Sequence, residues 1–171
     1  MKRLKNLCAN LVVMQFKNFS FGATSAVITA LALLIGLEDT MNAKINIITA
    51  LVVIAIADNI SDSFGIHIHQ ESQNTPANEV RKTTFINFFT RLLIVLLFIL
   101  IIMYLPVHTG IVVSIIFGFS VISILSYFIA INHNENPYKS IFFHLGLATL
   151  VMIGSYFLRK VILEVLPKIL A

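Results

Sequence analysis

Charge is scarce in this chain, and that scarcity excludes more than any motif does. Only 12% of the 171 residues are Asp, Glu, Lys or Arg, while 58% are hydrophobic and the mean hydropathy is +0.92. A water-soluble domain carries roughly 25% charged residues, so this chain could not cover a solvent-facing surface. Tryptophan is absent altogether, and no function attaches to that absence. Cys8 is the only cysteine, which rules out an intrachain disulfide and any cage of cysteine ligands. No low-complexity tract and no convincing internal repeat interrupts the sequence. No nucleophile–base pair, nucleotide-binding loop or metalloprotease motif is visible either, so the chain reads as a non-enzyme and needs no cofactor.

What the sequence has is apolar runs. Five are long enough to cross a hydrocarbon core, which takes ~20 helical residues at 1.5 Å each. They span about 20–37, 45–67, 84–104, 110–131 and 141–158. Glu38, Asp39 and Thr40 close the first, Pro106 follows the third, and Asn132 to Pro137 form a polar turn after the fourth. Ser140 is the expected N-cap of the fifth, which fades at Arg159 and Lys160 into a short amphipathic tail. The odd number of spans argues against a simple two-fold inverted repeat. Ahead of the spans, Leu4, Leu7, Cys8, Leu11, Met14 and Gln15 follow helical amphipathic spacing. Residues 3–17 are therefore expected to lie as a helix on the inner membrane surface. The basic start has no clean apolar core or cleavage site behind it, so it does not read as a signal peptide. The expected architecture is all-α: one integral membrane domain of five transmembrane helices preceded by this interfacial helix.

A pI near 9.4 would suggest an acidic partner on a soluble protein. Here the basic residues flank apolar spans, where they anchor to headgroups and set orientation. With the N-terminus inside, Lys2, Arg3, Lys5, Lys17, Arg81, Lys82, Arg91 and Lys139 lie on the inner side. Only Lys44, Arg159, Lys160 and Lys168 lie outside. That bias predicts a cytoplasmic N-terminus and an outer C-terminus, in the cytoplasmic membrane of a prokaryote.

The second run carries the unusual residues. Asp58 and Asp62 are four apart and share a helix face, with Ala55, Ser61, Gly65 and His69 extending it. A carboxylate at membrane depth costs roughly 2.5–3.5 kcal/mol on insertion scales, and like charges at this spacing repel. Such a pair persists if protonated, countered by a cation, or facing water. Two readings follow: a path for ions or protons, or a polar network with Arg91 of the third run. Next come His67, His69 and Glu71, ligand types that suit Mn, Fe and Zn. On a helix the two histidines point apart, so a shared metal requires that the helix has ended. His144, set among Phe142, Phe143, Leu145 and Gly146, reads as a hydrogen-bonded packing residue. Gly110, Ser114 and Gly118 form a small-residue stripe that allows close helix contact, within one chain or between two.

These residues also resemble a known family. The run Phe21-Gly22-Ala23-Thr24-Ser25-Ala26-Val27-Ile28-Thr29, continuing to Gly36 and Leu37, resembles the first-helix signature of the vacuolar iron transporter family. That signature reads roughly G-A-N-D-G-x-V-T-T followed by A-G-L. The stretch from Ala57 to Gln70 is similar to the family's M-A-x-G-E-Y-x-S segment, and Gly146 to Lys160 is similar to its closing segment. Family members are dimers that exchange a divalent metal for protons along a path lined by the first two helices. The family's first-helix Asp is Ser25 here, and in the most natural register its Met and Glu fall on Asp58 and Asp62. A shift of one residue places them on Asn59 and Ser63. The family's cytoplasmic metal-binding insert shrinks to about residues 71–82.

The resemblance implies a secondary transporter of a divalent transition metal, iron or manganese, working as a homodimer in exchange for protons. Asp58 and Asp62 would be ligands and proton acceptors. Asn59, Ser25 and Thr24 would supply neutral oxygens, and His67, His69 and Glu71 a first docking point for the ion. The competing expectation is an accessory or assembly protein that keeps the fold and binds no metal. Topology is testable first. With Cys8 replaced by Ser, Arg3→Cys and Leu170→Cys should label from opposite sides of the membrane. Labelling of both from one side overturns the five-span arrangement.

Overall fold

A computed structural model describes the backbone of residues 2–170 and the side chains of residues 19–165, 168 and 169. Among these residues every regular element is a helix: α1 Lys2–Leu37, α2 Ala43–Val53, α3 Asn59–Ser72, α4 Ala77–Tyr104, α5 Val107–Asn132 and α6 Pro137–Leu170. A π-helical turn, Ile54–Asp58, joins α2 to α3 without a break. Five helical stretches are long and apolar enough to cross a membrane: Phe19–Leu37, Ala43–Ser72, Ala77–Tyr104, Val107–Asn132 and Pro137–Val165. The five-helix reading of the sequence stands. Residues 3–17 are helical in backbone and run straight into the first span, and their side chains lie outside the described residues.

Helix ends depart from the sequence reading where local chemistry outweighs hydropathy. The second span continues to Ser72, past His67, and the third begins at Ala77, well before Thr84. The fifth opens at Pro137, not after Ser140. Its first free N–H groups are met by Asn136, whose Oδ1 accepts from the amides of Tyr138 (3.0 Å) and Lys139 (3.4 Å). Proline suits a first helical position because its missing N–H is not needed there. The tail expected after Lys160 is a direct continuation of α6.

Two turns share one device. α3 and α5 each close with an asparagine in the left-handed region, Asn74 (φ 57) and Asn134 (φ 55). Beyond it the chain bonds back across the turn, Thr75 N to Gln70 O (3.2 Å) and Glu135 N to Ala130 O (2.9 Å). Asn is among the few side chains that accept this conformation. Pro76 and Pro137 then prevent either helix from running on.

Helix α1 is the centre of the bundle and packs against α2, α4, α5 and α6. Its inner faces are Ala23, Ala26, Val27, Ala30, Leu31 and Leu34, all essentially inaccessible. Small residues let neighbours come close, and α5 replies with its own. A Cβ on Gly118 would stand 2.9 Å from Val27 Cγ1 and 3.0 Å from Leu31 Cδ1, and one on Gly110 would stand 3.1 Å from Ile102 Cδ1. Ser114, between them, is buried too. The Gly110–Ser114–Gly118 stripe is therefore a contact within one chain, which resolves the alternative left open by the sequence. α6 is the most exposed span, with Phe142, Phe143, Leu150 and Phe157 facing outward. Overpacking a core costs typically 1–3 kcal/mol, so Gly118→Leu should lower the thermal unfolding midpoint of the purified chain markedly. Gly154→Leu, where nothing lies within 4 Å of an added Cβ, should leave it nearly unchanged.

Candidate functional site

The two acids of the second span meet a cation from α4. Arg91 is buried, its side chain 1% exposed, and its guanidinium forks between the carboxylates. Nη2 pairs with Asp58 Oδ2, and Nη1 pairs with Asp62 Oδ2 at 2.5 Å. Nη1 also donates to Ser25 Oγ of α1 (2.6 Å), whose hydroxyl stands 3.5 Å from Asp62 Oδ2. Ser25, Asp58, Asp62 and Arg91 thus form one cluster drawn from three spans, formally one negative charge in excess. The acids are far less enclosed than the cation, with side chains 42% and 37% exposed. They reach the surface of the bundle, while Arg91 is buried within it.

Backbone geometry explains why these residues converge. Ile47, Leu51, Ala55, Asn59 and Ser63 are all buried at a strict four-residue spacing. At 3.6 residues per turn that stripe would rotate steadily off its face. The π turn at Ile54–Asp58 takes one residue more per turn and holds it in line. Asp58 and Asp62 then flank the buried stripe without sinking into it. From α1, Gly22 lets α4 approach. A Cβ there would lie 2.6 Å from Asn87 Oδ1 and 3.3 Å from Arg91 Cγ.

The remaining predicted site residues scatter. Asn59 is 1% exposed and fastens the second span to α4, its Nδ2 donating to Phe88 O (3.0 Å) and Ala55 O (3.4 Å). Thr24 is half-buried on α1, and no hydrogen bond joins it to the acids among the described residues. His67 turns to α4, with Nδ1 3.2 Å from Thr84 Oγ1 and Nε2 3.5 Å from Glu71. His69 instead meets Gln73, one turn on (3.1 Å). The helix has not ended at this point, so the histidines diverge and form no joint cage. Among the described residues no group of three His, Cys, Asp or Glu side chains is gathered for a metal ion. His144 behaves as expected, bonded to Ser126 Oγ (2.9 Å) and set edge-on to Phe143.

Apart from Arg91, sequence reasoning overlooked the polar face of α4. Thr83, Asn87, Thr90 and Arg91 are all buried. Their spacing of three and four inside an apolar run was the available signal. Asn87 Nδ2 donates to Ser63 Oγ (3.3 Å), while Asn87 Oδ1, Asn59 Oδ1 and Arg91 Nε have no hydrogen-bond partner. No protein-family model, curated protein or solved structure matches this chain. The site therefore stands on its own chemistry: a pair of partly exposed carboxylates, a hydroxyl, and a guanidinium seated among them.

That arrangement makes a folding prediction. Removing one partner from a buried ion pair costs about 3–5 kcal/mol, and less here because the acids are partly exposed. Arg91→Leu leaves two carboxylates one turn apart without a counter-charge and should sharply reduce the folded yield. Adding Asp58→Asn and Asp62→Asn should restore much of it. A triple variant no better than Arg91→Leu alone would show that the arginine contributes packing and not charge balance.

Proposed function

We propose that the chain is a secondary transporter that carries a divalent transition-metal cation, iron or manganese, across the membrane in exchange for protons. The observation that carries this reading is the half-open acid pair with Ser25 beside it and a cation already seated between the acids. A site that holds a guanidinium is built for positive charge. Its donors are carboxylate and hydroxyl oxygens, which suit hard, oxygen-preferring ions. Intramembrane acids that face a path or cavity mark ion and proton routes by default. Metal binding to carboxylates expels their protons, which couples the two fluxes.

The resemblance to vacuolar iron transporters supports the same assignment. Ser25, at the position of that family's first-helix acid, is within hydrogen-bonding distance of Asp62. In this reading the protein is a homodimer in the cytoplasmic membrane of a prokaryote, N-terminus inside, with residues 3–17 on the inner surface. It is not an enzyme. Asp58 and Asp62 are the principal ligands and Ser25 the supporting oxygen. Thr24 and Asn59 reach the ion only after the helices shift, and His67 and Glu71 meet it at the inner end. The dimer rests on the family resemblance alone, since the α5 stripe is used inside the chain.

A second reading is favoured by one specific observation. Arg91 satisfies both acids at once, which an accessory protein with a static polar network would also require. Manganese flux into proteoliposomes with an internal pH probe separates the two. Asp58→Asn should abolish metal-coupled proton release. Asp62→Asn should weaken apparent affinity at least tenfold and leave residual transport. Ser25→Asp should partly rescue Asp58→Asn. Wild-type flux in Asp58→Asn at matched expression would remove that residue from the mechanism and leave the static network as the better account.

A further inference from the structure

A divalent cation cannot take both carboxylates while Arg91 holds them, because the guanidinium fills the space between the two acids. Nor can Arg91 simply let go. A guanidinium buried without a partner is among the most costly arrangements a protein can hold, and this one is 1% exposed. A transport cycle through this site therefore needs a second seat for Arg91, inside the bundle and already polar.

One is present. Arg91 Nε is a buried donor with no partner, and Asn87 Oδ1 is a buried acceptor with no partner. They lie on one face of α4, a single turn apart. Asn87 Oδ1 and Arg91 Cγ both come within 3.3 Å of the point where a Gly22 Cβ would stand. Asn87 itself is held in place through Ser63 (3.3 Å) and is 0% exposed. Orphaned polar atoms are rare in protein interiors, and a donor and an acceptor orphaned one turn apart on the same helix face can be matched by a change of rotamer. Such a change would draw the guanidinium toward Asn87 along α4, without unfolding a turn.

Resting on the transport reading above, we infer that Arg91 is a tethered surrogate cation with two seats. In the empty protein its guanidinium occupies Asp58, Asp62 and Ser25. When a divalent cation takes the carboxylates, Arg91 retreats to Asn87 Oδ1. Ser25 Oγ, which now accepts from Arg91, is released to face the ion. Asn87 and Gly22 are then positioning residues: the first supplies the waiting acceptor, and the second leaves room for it. The device keeps the acids countered in both states, so an empty carrier never exposes a bare acid pair to the bilayer.

The test follows the arginine itself in full-length protein in lipid nanodiscs, with Mn²⁺ as the probe and dissolved Mn²⁺ replaced by diamagnetic Cd²⁺ where spectra require it. In ¹⁵N-arginine-labelled protein the Nε resonances of Arg3, Arg81 and Arg159 are assigned from their Lys variants, leaving that of Arg91. It should shift on titration with Cd²⁺, along the same saturation curve as metal binding. Asn87→Leu should leave the metal-free Arg91 resonance in place, abolish its metal-induced shift and weaken Mn²⁺ binding at least tenfold. Gly22→Ala, whose Cβ would press on Asn87 Oδ1 at 2.6 Å, should also weaken Mn²⁺ binding, to a smaller degree. A merely structural role for Asn87 would instead move the metal-free resonance. An Arg91 resonance that stays put at metal saturation overturns the inference, and so does Asn87→Leu binding Mn²⁺ as tightly as wild type. That first measurement needs no variant of the site. The two proposals fail separately: flux with an unmoved Arg91 removes the second seat and keeps transport. A metal-shifted Arg91 without flux removes transport and keeps the seat.

Discussion

A buried guanidinium is the constraint on which the rest of this bundle depends. A guanidinium is all donors and no acceptor, so once Arg91 sits in the interior, hydrogen-bond acceptors must come to it. Asp58 and Asp62 supply them from one helix face, and Ser25 completes the fork from a second helix. That requirement fixes the rotation of the second span and the closeness of α1 to α4. The π turn and Gly22 serve it directly: one keeps Asn59 and Ser63 inside while the acids flank them, and the other lets Asn87 and Arg91 reach the centre.

The far end of the bundle is organised differently. There the polar contacts are peripheral and tie helix ends together. Arg159 of α6 donates to Ile35 O of α1 (3.0 Å) and bridges Asp39 in the turn after it (2.8 Å), while lying over Tyr156. Lys44 of α2 donates to Leu105 O beyond α4, and His108 of α5 stands 3.3 Å from Glu38. The Glu38–His108 contact is largely exposed and contributes little, while Arg159 is enclosed on its own side and opens to solvent only through Asp39. The central cluster and these outer ties therefore do different work. The ties set how the outer ends sit, and the cluster decides what the second span can bind.

The exposure difference within the cluster gives it its functional character. If all its members were enclosed, Asp58, Arg91 and Asp62 would be a closed structural network. Here the negative groups are partly exposed and the positive group is not. A small cation that reaches the site meets carboxylate first, with Arg91 as the competitor. That geometry links the electrostatics of the fold to exchange: a cation that is to take both acids must displace the guanidinium.

Hydropathy and the 1.5 Å rise per residue determined, from sequence alone, that five helices are long and apolar enough to span, and roughly where they lie. Each helix satisfies its own backbone, so spanning is a local property that one dimension records. The acid pair was legible for the same reason, because a charge in an apolar run stands out wherever it points. Helix ends were less so: Asn136 and the left-handed Asn74 and Asn134 overrode the apolar pattern through hydrogen bonds that hydropathy does not register. Everything that depends on which face meets which was decided only by the tertiary structure. The stripe on α5 turned inward to α1 and α4, Asn59 turned to α4, and the histidines turned apart because the helix did not stop. Arg91 was named as one possible partner, yet only packing brought both acids and Ser25 to it. The reason is geometric: neighbours across a bundle are set by rotation and depth of separate helices, and those follow from the sum of their packing contacts and from no single stretch of sequence.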